Sequence, residues 1–214
     1  MHAGYSFSNT EGFLYSVGAE RGLSWDIDVN LTHPALASDY RGFAAKTNLI
    51  GYIPMPWLKH HVLALHTGAG MSGGSYPGRG QFYVGSFVDL PILDTIRNVA
   101  FQGGLVLRGY EPVAVSGNYY SLWNAEYRFP IVNIDRGPST LPFFINRVSG
   151  NVFLDYGSAF NVLSEAEWKT GTGAELWLDL VLGYNLSMTM RFGYASGLAS
   201  KGIETFYWVA AVPY

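Results

Sequence analysis

Leu23 to Leu31 reads LSWDIDVNL, and its side chains alternate without a break. Leu23, Trp25, Ile27, Val29 and Leu31 fall on one side of an extended chain. Ser24, Asp26, Asp28 and Asn30 fall on the other, the period of two that a β-strand imposes. The pattern returns in AELWLDLVL, where Leu176, Leu178, Leu180 and Leu182 alternate with Glu175, Trp177, Asp179 and Val181. In SMTMRFGYA, Met188, Met190, Phe192 and Tyr194 are set against Ser187, Thr189, Arg191 and Gly193, and TFYWVAAVPY puts Phe206, Trp208, Ala210, Val212 and Tyr214 on one side.

Along the whole chain this period predicts nine strands, at about 11–19, 23–32, 40–53, 60–71, 118–130, 148–157, 171–182, 186–195 and 204–214. If the first is not a full strand, the number is eight. Most exceed the roughly 5–6 residues usual in globular domains and match the roughly 9–11 that a tilted strand needs to cross a bilayer. Tight turns at 20–22 and 183–185 and the short 54–59 alternate with longer Gly- and Ser-rich segments at 72–117, 158–170 and 196–203. Short turns on one side and long loops on the other is the habit of transmembrane barrels. The exception is 131–147, a long connection on the short-turn side.

Composition separates the two ways an alternating chain can be folded. The chain has 214 residues, enough for one β domain or at most two small ones. Charged residues make up 14%, against about 25% in ordinary soluble domains, while aromatics reach 16% with 26 glycines. A soluble β-sandwich or lipocalin-like barrel would place the apolar face inside and charges outside. Here the polar face is small and sparsely charged and the apolar face large and aromatic, which favours apolar-out. The expectation is an all-β, antiparallel up-and-down transmembrane β-barrel over residues 1–214, in the bacterial outer membrane and in contact with its lipid. A long extracellular loop at about 72–117 would fold toward the lumen. Tyr5, Tyr15, Tyr52, Trp57, Tyr127, Tyr156, Tyr194 and Trp208 would form the interfacial girdles.

Other classes find little support. No window of about 18 apolar residues exists for a transmembrane helix. MHAGYSFSNTEG lacks the basic and apolar regions of a signal peptide, so an exported form would be mature or part of a longer chain. A net charge of −3 gives no footprint for nucleic acid. With no cysteine, neither a disulfide framework nor a thiolate metal site is available.

The long loop contains GGLVLRGYEPV, residues 103–113, with one arginine between apolar groups. Placing polar faces inward puts Leu122, Asn124, Glu126 and Arg128 in the lumen from one strand, and Phe153, Asp155 and Gly157 from the next. Arg108 can then meet two luminal carboxylates, Glu126 and Asp155, which a guanidinium fork suits well. Gly109 would allow close approach and Tyr110 would pack on the wall. The alternative is a solvated loop arginine.

LRGY, followed by NAEYRFPI and VFLDYGSAF and ending on an aromatic residue, resembles the BamA/TamA-like bacterial surface antigen family, over roughly residues 12–214. Those are outer-membrane barrels that insert or translocate other proteins, and the match falls on the C-terminal strands of their barrel. The resemblance implies that Arg108 of the Arg108–Gly109–Tyr110 loop enters the lumen and meets Glu126 and Asp155. It also implies that Phe153 and Gly157 belong to the same strand motif, and that Tyr214 is the residue read by assembly machinery. Family members have sixteen strands and usually periplasmic domains ahead of them, which this chain does not show. Partners would be client outer-membrane proteins, or another chain completing the barrel. A non-transporting structural or anchor barrel and a small-solute pore remain as alternatives.

No enzyme, cofactor or metal is expected. GAGMSG at 68–73 fits a glycine-rich phosphate pattern, but GSYPGRG follows it where a helix is needed. His60 and His66 lie about 20 Å apart along a strand, too far to share an ion. His66 could serve a luminal hydrolase, but no nucleophile elbow accompanies it. Asp26 and Asp28 are about 7 Å apart, a metal-compatible spacing more simply read as lumen lining. DLPILDTIRNVAF, residues 89–101, reads as a short amphipathic helix that would plug the mouth, dock a partner or decorate the loop.

Overall fold

The alternating segments pair in the order in which they occur. The computed structural model describes residues 1–13, 15–36, 39–75, 80–87, 105–137, 142–183 and 185–211. Its strands are β1 (His2–Ser8), β2 (Gly22–Thr32), β3 (Gly42–Pro54), β4 (Val62–Gly74), β5 (Phe82–Val84), β6 (Val115–Gly117), β7 (Tyr119–Arg136), β8 (Phe143–Phe160), β9 (Lys169–Leu182), β10 (Leu186–Gly197) and β11 (Glu204–Ala211). Nine of them form one antiparallel meander in the order β1-β2-β3-β4-β7-β8-β9-β10-β11, and β5 and β6 form a separate two-stranded ribbon. The sheet is not closed: among the described residues the outer edges of β1 and β11 pair with nothing.

Sidedness follows the alternation, with an inverted sense. On β8, Asn151, Phe153, Asp155 and Gly157 are buried while the intervening Val152, Leu154 and Tyr156 are exposed. On β7, Leu122, Asn124 and Glu126 are buried, and Trp123 between them is 57% exposed. Leu23, Trp25, Val29 and Leu31 of β2, Phe192 and Tyr194 of β10, and Phe206 and Trp208 of β11 are likewise exposed. The covered inner face is therefore the polar one. It is covered by the chain between β4 and β7, which packs Val84, Leu107 and Tyr110 against Leu122 and Ala159.

Several expectations need correction. The first strand is not 11–19 but His2–Ser8. In 11–19 the Phe13 N–H donates to Ser16 Oγ and the Ser16 N–H to the Phe13 carbonyl, so a local turn replaces the ladder. Beyond an isolated bridge, Glu11 to Arg21, the segment folds back on itself. The long connection at 131–147 also disappears, because β7 continues to Arg136 and β8 starts at Phe143. Pro130 does not end the strand, because the ladder absorbs it by a register shift between Pro130 and Val132. β4 starts at Val62, leaving His60 in the preceding turn with φ of 62°. Tyr52 sits on the inner face, where Arg128 lies 5.8 Å from its ring, and is not a girdle residue. The large sheet has nine strands, the number the alternation predicts, with His2–Ser8 standing in for 11–19. The helix read at 89–101 and Tyr214 both lie outside the described residues.

Candidate functional site

Register places three carboxylates side by side on the inner face. Asn124 of β7 pairs with Asp155 of β8, and Glu126 with Phe153. Asn151 of β8 pairs with Glu175 of β9, and Asp155 with Gly171. Asp155 and Arg108 are 0% and 1% exposed, respectively. Arg108 crosses all three strands. Its Nε donates to Asp155 Oδ2 at 2.8 Å and its Nη2 to Asp155 Oδ1 at 2.6 Å. Its backbone N–H adds a third bond to Oδ2 at 3.0 Å. Nη1 pairs with Glu126 Oε1 at 2.9 Å and with Glu175 Oε1 at 3.1 Å. The guanidinium lies 3.5 Å from the centre of the Phe153 ring, a cation–π contact.

Two further arginines balance the charge. Arg128 donates through Nε and Nη2 to Glu126 Oε2, at 3.0 and 2.7 Å. Arg191 donates to Glu175 through Nε at 3.1 Å and through Nη2 at 2.7 Å. Glu175 is the hub: Asn151, Trp177 and Tyr207 also donate to it. The Trp177 ring lies between the Arg128 and Arg191 guanidiniums, 5.0 and 4.9 Å away. Three guanidiniums thus meet three carboxylates. A buried charge is tolerated only when paired and hydrogen-bonded, and here nearly every oxygen of the set is engaged.

The backbone of the loop is seated as firmly as its side chain. Gly109 adopts φ of 84°, and a Cβ there would stand 2.5 Å from the Gly197 nitrogen. A Cβ at Gly171 would collide with the Arg108 carbonyl oxygen, so only glycine lets the loop lie on β9. Tyr110 Oη donates to the Thr170 carbonyl at 2.8 Å and accepts from the Thr170 and Ala199 N–H groups at 3.2 and 3.0 Å. The Ile203 N–H donates to the Gly109 carbonyl at 2.9 Å, tying the loop to the turn between β10 and β11. Phe87, earlier in the same connection, packs 5.2 Å from the Tyr207 ring on β11.

A second segment enters from the other end of the sheet. Ser16, Val17 and Glu20, between β1 and β2, are buried. Ser16 Oγ donates to Glu20 Oε1 at 2.6 Å, and His60 Nδ1 lies 2.6 Å from the same oxygen. Arg147 of β8 donates to the Ser16 carbonyl and pairs with Asp179 at 2.8 Å.

The structure therefore brings together Arg108, Gly109, Tyr110, Glu126, Asp155 and Phe153. Gly157 lies on the same inner face, one inward position beyond Asp155 and opposite Leu122. Sequence reasoning missed Glu175, Arg191, Arg128, Asn124 and Tyr207 as parts of the cluster. The signal was present for four of them, since the alternation had already put Asn124 and Arg128 in the lumen and Glu175 and Arg191 on polar faces. The histidines fall into separate settings: His60 on Glu20, His61 on the Tyr127 hydroxyl at 2.8 Å, and His66 beside Asn124 in the register. Asp28 is met by His2 at 2.8 Å and Lys46 at 3.7 Å. No protein-family model matches the sequence, and no curated protein sequence matches it.

Proposed function

We propose that the nine-stranded sheet is wall of a transmembrane β-barrel in the bacterial outer membrane, and that the protein takes part in inserting or translocating other proteins there. One observation carries the membrane reading: a guanidinium–carboxylate cluster is buried under a loop on one face, and the opposite face is bare and apolar. The outward positions of β2, β3, β4, β9 and β10, and of β7 from Tyr119 to Phe129, hold no charged residue. A charge on the lipid face costs about 2–4 kcal/mol at mid-depth. In water the same face would be a large apolar patch with no reason to persist.

Aromatic clusters give that face two rims. At one level His61 stacks 5.8 Å from Phe129 beside Tyr127, and at the other Tyr119 stacks 5.9 Å from Phe160. Trp168 lies 5.0 Å from Tyr156 at the second rim. Tyr119 and Phe129 are ten residues apart on β7, about 34 Å of strand. At a tilt of about 40° this spans about 26 Å, close to the roughly 25 Å apolar band of outer-membrane barrels.

The insertion role is supported by the resemblance of LRGY, NAEYRFPI and VFLDYGSAF to the BamA/TamA-like family, together with the seating of Arg108 on exactly those strands' inner faces. A pinned loop would keep the wall rigid while an exposed strand edge offers backbone partners to an incoming strand, whose unpaired groups cost several kcal/mol each in lipid. A second reading, a non-transporting anchor barrel, is favoured by the covering of the inner face from both ends by the segments around residues 16–20 and 105–118. The same covering weighs against a small-solute pore.

The deciding experiment reconstitutes the protein in vesicles and follows folding of a urea-unfolded porin added outside. Insertion activity predicts faster folding than in empty vesicles, lost in the Arg108→Ala variant. Stable integration without acceleration leaves the anchor. Steady ion conductance would point to the pore.

A further inference from the structure

Strand direction decides what can cover the two open edges. Every one of the pairings that link β1 to β11 is antiparallel. In a nine-stranded meander the first and last strands then run the same way. Bringing β11 against β1 within one chain would make a parallel seam. A second copy inserted in the same orientation places its β1 beside the first copy's β11, again parallel. A reversed copy would restore antiparallel edges, but only with its loops on the wrong side of the membrane. We propose that the edges of β1 and β11 together dock an odd-numbered set of amphipathic β-strands of a different sequence, and that a second copy of this chain does not fill that place. The inference rests on the membrane reading above.

The edges themselves specify the partner's chemistry. β1 presents Tyr5 and Phe7 outward and Gly4, Ser6 and Ser8 inward, in antiparallel register with β2. β11 presents Phe206 and Trp208 outward and Thr205 and Tyr207 inward. Phe206 is 84% exposed, more than any other large apolar side chain among the described residues, and among those residues no strand stands on its outer flank. A partner continuing the pattern carries apolar side chains outward and small or polar ones inward. Antiparallel pairing at both edges requires that the partner's first and last strands run in the same direction. That holds only for an odd number of strands, and it gives the even total found in single-chain bacterial barrels.

The absence of native cysteine makes the test clean. Single variants Ala3→Cys and Phe206→Cys, at the starts of β1 and β11, are reconstituted in vesicles. Each is offered an eleven-residue synthetic strand of alternating apolar and polar residues with one cysteine at its N- or its C-terminus. An antiparallel strand brings its C-terminus to both positions, so the C-terminal peptide should form the disulfide at least tenfold more at each edge. Preference for the N-terminal peptide at either edge overturns the proposal. So does a disulfide in the Ala3→Cys/Phe206→Cys double variant, within one chain or between copies. Extraction of the protein by alkaline carbonate would instead overturn the membrane reading, and peptide orientation in detergent micelles would still decide the strand parity of the edges.

Discussion

Arg108 illustrates how much of a loop's position can depend on one side chain. Its guanidinium is shared among Glu126, Asp155 and Glu175, and removing it leaves three carboxylates facing two arginines. Breaking one partner out of a buried ion pair costs about 3–5 kcal/mol, so Arg108→Ala should lower the temperature at which the compact gel band of unboiled protein is lost. Arg108→Lys should fall between, because a point charge cannot hold Asp155 at two atoms. An unchanged transition in both variants would mean that the cluster does not hold the loop. Gly171→Ala tests the backbone: its new Cβ meets the Arg108 carbonyl. The expected result is an expelled loop, newly cut by trypsin after Arg108, in a sheet that keeps its circular dichroism. At this scale Glu126 and Asp155 could be read from alternation, since charges in a strand with an apolar outward face must point away from lipid. Glu175 could not be assigned to Arg108, because sequence does not show how far across the sheet a loop reaches.

Among the elements, the strands rich in β-branched and aromatic residues were legible, and the turns that imitate strands were not. GFLYSVG, residues 12–18, has the right alternation, but Ser16 supplies a side-chain acceptor that closes a local turn. The resulting segment is held by Glu20, which takes a bond from Ser16 and pairs with His60, and by Arg147 on the Ser16 carbonyl. Glu20→Ala should free it, giving faster hydrogen exchange at residues 13–20 and cleavage after Arg21, with strands β7 to β9 unaffected. Equal protection in the variant would show that packing of Val17, not the ion pair, holds the segment. The strand end read at 130 erred in the opposite sense. A proline usually ends a central strand, yet a bulge lets β7 run six residues past it.

For the whole molecule, the sequence carried the sidedness and the strand number, but not the closure. Alternation and low charge state which side chains face which way, and the structure follows them from β2 to β11. Closure depends on what lies beyond the edges of β1 and β11, which no internal pattern records. The central claim is that the bare apolar face meets lipid and the charged face does not, and tryptophan reports on both. Trp123 and Trp208 are outward and about half exposed, while Trp177 is buried between two arginines. Variants keeping one tryptophan each, with the rest replaced by phenylalanine, would be reconstituted in vesicles of brominated phosphatidylcholine. An apolar-out wall predicts strong quenching of Trp123 and Trp208 and little of Trp177. Quenching of Trp177 with Trp123 and Trp208 left bright, or no quenching of any, would contradict it.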